Sequence, residues 1–187
     1  PRSIRTLIAA ALEFDFPHAS QNRDDYIGPL VLLEREEPVN DPAYQRVLQA
    51  IAAKKVEGAE RFVIFCSMGT YYSVFDYFQR VIRAVSEKPN YDLILTVGPD
   101  LSLTDFEPIP DNVYLLSHVP QLDVLKRADI AVTHRGISTI NECILLGVPM
   151  VVYSDGFYDR NGNAARVAYH GLGLRGDFSR DTPVEIA

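Results

Sequence analysis

From Arg61 onward the chain alternates short apolar runs with amphipathic stretches, and this alternation narrows the possible folds more than any other feature. Phe62-Val-Ile-Phe-Cys66 is apolar throughout, as a strand covered on both faces must be. Further strands are predicted at Asp92–Val97, Asn112–Leu116, Ile130–Thr133, Pro149–Tyr153 and Leu172–Leu174. Between them, helices are predicted at Ser73–Ser86, Gln121–Arg127 and Asn161–His170, with another opening just after Gly136. In the first of these, Phe75, Phe78, Val81, Ile82 and Val85 recur at helical spacing and are expected to face inward. Strands that alternate with helices and connect by right-handed crossovers build an α/β fold with a doubly wound parallel sheet, Rossmann-like in type.

The first sixty or so residues read differently. A short apolar run, Thr6–Leu12, is followed by a polar, irregular passage up to Tyr26-Ile-Gly-Pro-Leu30. Glu34–Pro42 holds four acidic residues and two prolines, the composition of a surface linker. Pro42–Lys55 reads as a helix, with Tyr44, Val47, Leu48 and Ile51 at helical spacing. We therefore divide the chain into residues 1–58, the end of a preceding domain plus a linker with one helix, and residues 59–187, the sheet domain. Thr182-Pro183 starts a helix, with Thr182 as N-cap, just before the last residue, Ala187. The expectation is a piece of a longer protein whose uncovered apolar surface favours self-association.

Composition narrows the partners. A net charge of −7 with a pI near 5.0 gives no basic footprint for nucleic acid or an anionic membrane. No run is long enough for a membrane span. Cys66 and Cys143 lack metal-ligand or C-x-x-C spacing and are read as buried, reduced thiols, which fits a cytoplasmic protein.

The stretch from Thr133 to Pro149 carries the chemistry. It follows an apolar strand and opens a helix whose first turn is expected to hold Ser138, Thr139 and Glu142. A helix start at a strand end presents free N–H groups and the positive end of a dipole, both suited to phosphate. Gly136 lets the backbone come close, His134 can donate to an anion, and Glu142, one turn on, can accept from both hydroxyls of a ribose. Thr139-x-x-Glu142 equally spells a capping box, which would make both residues helix punctuation. Other strand ends offer Ser67, Gly69 and Thr70 as phosphate or hydroxyl partners, and His118 and Gln121 beside a base or ribose. Asp159 and Arg160 open the next helix, where Asp159 can accept from sugar hydroxyls or cap the helix. Gly171-Leu-Gly173-Leu-Arg-Gly176 matches the dinucleotide fingerprint in letters only, because a helix precedes it and none follows directly.

Taken together, Ser117-His-Val-Pro-Gln121, His134-x-Gly136, Ser138-Thr139-x-x-Glu142, Gly147-Val-Pro149 and Asp159-x-x-x-Asn163-Ala resemble the nucleotide-sugar signature of the UDP-glycosyltransferase family. The resemblance implies the C-terminal, donor-binding half of a two-domain GT-B enzyme that inverts configuration without metal or other cofactor. It implies that Ser67, Gly69, Thr70, His134, Gly136, Ser138 and Thr139 hold the diphosphate. His118, Val119, Gln121 and Glu142 would hold base and ribose, and Asp159 and Arg160 the sugar. The expected donor is a UDP-sugar ahead of a TDP-sugar, and the expected acceptor a small lipophilic or natural-product hydroxyl bound by the N-terminal domain. That domain is also expected to carry the general base, so no catalytic residue is assigned here. A stand-alone donor-binding subunit or a non-catalytic module is the alternative. The sequence departs from the family pattern at His118, usually tryptophan, and at Arg160, usually glutamine.

Overall fold

The computed structural model describes residues 6–17, 24–56, 60–69, 75–134, 136–154 and 160–186. Strands β3 (Phe62–Ser67), β4 (Tyr91–Thr96), β5 (Val113–Leu116), β6 (Ile130–His134), β7 (Met150–Ser154) and β8 (Gly173–Asp177) form one sheet, ordered β5-β4-β3-β6-β7-β8. Every neighbouring pair is parallel. The strands run outward in both directions from the β3–β6 pair, so the order reverses there, the arrangement of a doubly wound sheet with its crevice at that point.

Strand periodicity divides the core in two. Val63 and Phe65 point to one face with Ile94, Ala131, Met150 and Val152. There they meet α1 (Pro42–Val56), α3 (Gln121–Leu125), α4 (Ile137–Leu146) and α5 (Arg160–Tyr169) through Tyr44, Val47, Leu125, Ile140 and Val167. Ile64, Cys66, Leu93, Leu95 and Tyr153 point the other way, onto Phe78, Val81 and Val85 of α2 (Phe75–Ser86). Each such side chain taken from water contributes roughly 1.5–3 kcal/mol before chain entropy is subtracted. Phe75 and Ile82 are partly buried against this same cluster, so the inward face of α2 is the one its spacing predicts. Cys66 and Cys143 are free and buried, and burial pushes the Cys143 thiol up to about 12.

Helix α1, which the sequence groups with residues 1–58, lies against the sheet. Tyr44 is fully buried among sheet residues and its hydroxyl donates to Asp123 at 2.7 Å. At the other end of α1, Lys54 donates to the buried Asp92 at 3.2 Å and to the Tyr114 hydroxyl at 2.8 Å. Arg61 completes the neutralisation of Asp92 at 2.6 Å, which a carboxylate with no solvent access requires.

The structure also pairs β1 (Thr6–Ile8) in parallel with β2 (Asp24–Tyr26), a small sheet that the polar composition after Leu12 conceals. Phe14 and Ala10 join the first core cluster. Asp15 accepts from Tyr26 and from Arg166 of α5, and these partners hold its carboxyl down to about 2. No helix among the described residues is long and apolar enough to cross a membrane.

Two element boundaries need correction. Helix α3 ends at Leu125, two residues short of Arg127, and β8 continues through Arg175, Gly176 and Asp177, well past Leu174. Among the described residues β8 pairs with β7 alone, and an edge strand tolerates charged and glycine residues that carry no strand signal. The glycines of the fingerprint-like string have packing roles. Gly171 ends the turn after α5 with φ +66°, a β-carbon at Gly173 would fall 1.8 Å from the Met150 carbonyl oxygen, and one at Gly176 would strike the Tyr153 ring at 2.3 Å. Gly173→Ala is therefore expected to destabilise the fold by about 3 kcal/mol or more. Gly171→Ala, with open space around it, should lose only about 1 kcal/mol. Urea denaturation of the two variants checks the ranking, and equal losses would remove the Met150 contact as the cause.

Candidate functional site

Where the sheet order reverses, the ends of β3 and β6 place two glycine backbones against one imidazole. An added β-carbon at Gly69 would lie 2.6 Å from Cε1 of His134, and one at Gly136 would lie 2.8 Å from its Nε2. A β-carbon at either position would force the ring to move, and Gly69 also adopts φ +77°. Ser67 ends β3, and its hydroxyl accepts from the Gly69 amide at 3.5 Å.

Gly136 is the N-cap of α4, with extended backbone and no side chain to cap the helix. The first-turn amides therefore point out of the strand end beside His134 with the helix dipole behind them. This settles the capping alternative. A capping box needs Thr139 outside the helix, but α4 begins at Ile137, so Thr139 lies within the first turn and Glu142 in the second. The expectation that Glu142 shares the first turn is corrected by the same register. The pattern does form a real box elsewhere: Glu185 accepts from the Thr182 amide and hydroxyl, both at 2.8 Å, at the start of α6 (Pro183–Ile186).

Glu142 is 4 % exposed. A carboxylate so buried needs donors on both oxygens, and it has them. Gln121, the first residue of α3, donates to Oε2 at 2.5 Å and reaches the Thr139 hydroxyl at 3.3 Å. Arg35, 107 positions away in sequence, donates to Oε1 at 2.5 Å. Arg35 also holds Glu37 through Nε at 3.1 Å and Nη2 at 2.9 Å. Burial opposes the charge on Arg35, but the carboxylates of Glu142 and Glu37 outweigh it and raise its pKa above the usual arginine value.

Glu37 in turn caps α3. The N-cap there is Pro120, which has no side-chain acceptor, and Glu37 takes its place by accepting from the amides of Leu122 at 2.9 Å and Asp123 at 3.2 Å. A cavity of about 420 Å³ opens between this segment and the strand ends, lined by Arg35, Ser67, Gly69, Gly98, His118 and Gln121 among others. Val119 is buried beneath it and His118 is exposed at its rim.

Ser67, Gly69, His134, Gly136, Ser138, Thr139, His118, Val119, Gln121 and Glu142 thus gather at the carboxyl ends of β3, β5 and β6. Thr70 and Asp159 lie outside the described residues, as does the side chain of Arg160, whose backbone opens α5. Sequence reasoning missed Arg35 and Glu37. Their only signal is two opposite charges within Glu34-Arg-Glu-Glu37, which reads as a solvated surface.

Residues 82–187 match the family model described as erythromycin biosynthesis protein CIII-like, C-terminal domain. Among curated proteins, the chain is 33 % identical over 118 residues to the oleandomycin glycosyltransferase of Streptomyces antibioticus, covering 63 % of this chain and 26 % of the relative. It is 29 % identical over 119 residues to the NDP-glycosyltransferase YjiC of Bacillus subtilis, covering 64 % of this chain and 30 % of the relative. Among solved structures, the kitacinnamycin glycosyltransferase superposes with a TM-score of 0.77 at 28 % identity, over 97 % of this chain and 44 % of that one. The chain thus spans less than half the length of each of these proteins.

The capping role of Glu37 can be tested directly. Glu37→Ala should lower stability by about 1 kcal/mol and speed hydrogen exchange at the Leu122 and Asp123 amides. Unchanged exchange at both amides would show that the carboxylate does not cap α3.

Proposed function

The chain belongs to the family of erythromycin biosynthesis protein CIII-like C-terminal domains, and on that footing we propose that it is the donor-binding domain of an inverting, metal-independent glycosyltransferase. The observation that carries this reading is the pairing of an uncapped α4 N-terminus beside His134 with a buried Glu142 one turn further on. The first binds a diphosphate through backbone N–H groups and an imidazole. The second accepts from ribose hydroxyls, and the cavity beside Val119 and His118 takes the base.

In the transfer, an acceptor hydroxyl attacks the anomeric carbon on the face opposite the diphosphate. The bond from that carbon to the diphosphate oxygen breaks, and its electron pair leaves with the phosphate. The helix dipole and the His134 donor stabilise the negative charge that develops there, in the role a divalent ion fills in other sites. The hydroxyl proton goes to a general base on the acceptor domain, which also holds the small lipophilic or natural-product acceptor. Alone, this chain binds donor without transferring sugar. The donor is a nucleotide-diphosphate sugar, UDP-linked ahead of TDP-linked, and Asp159 and Arg160 contact the sugar.

Calorimetric titration with UDP and TDP, with and without magnesium, tests the reading. Saturable binding is expected, equal in the two buffers. Glu142→Ala should weaken it roughly ten- to hundredfold, the worth of hydrogen bonds to a charged acceptor, and His134→Ala should weaken it as well. Absence of binding in the folded chain, or binding that requires magnesium, would contradict it.

A further inference from the structure

Arg35 sits where a ribose has to arrive. We propose that Arg35 is a residue of the nucleotide site that competes internally for Glu142, and that its release sets the affinity for nucleotide. The inference rests on the reading of Glu142 as the ribose acceptor.

An ionised carboxylate has about four acceptor positions, so chemistry alone would let Glu142 keep Arg35 and Gln121 and still take a diol. Burial forbids it. At 4 % exposure the carboxylate has no free side, and a hydroxyl reaches it only if a neighbour withdraws. Gln121 is the first residue of α3, whose start is pinned by Glu37 and whose body is buried through Leu122, Val124 and Leu125. Arg35 lies on a non-helical segment with its side chain 33 % exposed, and is the neighbour able to move.

Withdrawal does not strand the cation. The guanidinium already donates to Glu37 through two other nitrogens, and it borders the same cavity as Ser67 and Gly69. It leaves Glu142 while remaining paired, so the exchange replaces one charge-assisted bond with hydroxyl bonds and leaves no buried charge alone. An arginine is protonated throughout the accessible pH range, so the competition is set by populations rather than titration. If the latched state outnumbers the open one by about ten to one, apparent affinity is reduced about tenfold.

The test compares the chain with Arg35→Ala and Glu142→Ala by titration with UDP and TDP, after thermal denaturation has shown each variant to be folded. Arg35→Ala is expected to bind about tenfold tighter, whereas a merely structural arginine would bind more weakly once lost. Unchanged or weaker binding in Arg35→Ala, with binding weakened in Glu142→Ala, would overturn the competition and leave the ribose seat standing. Binding unaffected in Glu142→Ala, or absent from both the parent chain and Arg35→Ala, would overturn the ribose seat and this inference with it. Hydrogen exchange supplies a readout on the unmodified chain. The Arg35 amide, which donates to the Leu32 carbonyl at 3.2 Å, should exchange faster with saturating UDP, and slower exchange would also overturn the competition.

Discussion

A parallel sheet buried on both faces cannot be closed by hairpins, and each strand is re-entered only through a crossover that packs on one face or the other. The rest of this structure depends on that constraint. Because the crossovers lead outward in both directions from the β3–β6 pair, a crevice opens at the carboxyl ends of those two strands. Ser67 to Gly69, His134 and Gly136 lie at its floor. The imidazole packs there against two backbones that lack a β-carbon, and Gly136 at the N-cap leaves the α4 amides facing the same space. The site is a consequence of the topology, finished by two glycines.

One buried charge then ties the first part of the chain to the sheet. Glu142 requires donors on both oxygens, and they come from outside α4. Arg35 is one of them, and Glu37 two residues later meets a different need at the start of α3, where Pro120 offers no cap. The same short segment therefore satisfies α3 and α4 together. At the far end of the sheet Asp92 is treated alike, with Arg61 and Lys54 converging on it. The two networks differ in exposure. Asp92 keeps a sealed cation, Arg61, beside the part-exposed Lys54, whereas Arg35, the cation on Glu142, keeps a third of its side chain in solvent.

Much of this was legible in the sequence. Continuous apolar runs such as Phe62–Cys66 signal buried parallel strands, and the order of the motifs around His134 and Glu142 points to the strand ends that the structure brings together. What was not legible has physical reasons. Thr139-x-x-Glu142 and Thr182-x-x-Glu185 read alike, and only the second is a capping box, because the start of α4 is set earlier by the glycine beside His134. The extension of β8 was hidden by residues an edge strand tolerates. Arg35 was hidden by distance, since an arginine among glutamates gives no local sign of a partner 107 positions away.

The proposed function seats nucleotide at the carboxyl ends of β3 and β6, on the α4 N-terminus. Backbone amide chemical shifts, followed through a titration with UDP and then TDP, test it most directly. Nucleotide seated there should produce the largest changes at Gly69, Gly136, Ile137 and Ser138, with Gln121 and Glu142 following and the Asp92 end of the sheet unmoved. Changes concentrated at the Asp92 end, or on the outer surface of α2, would contradict it.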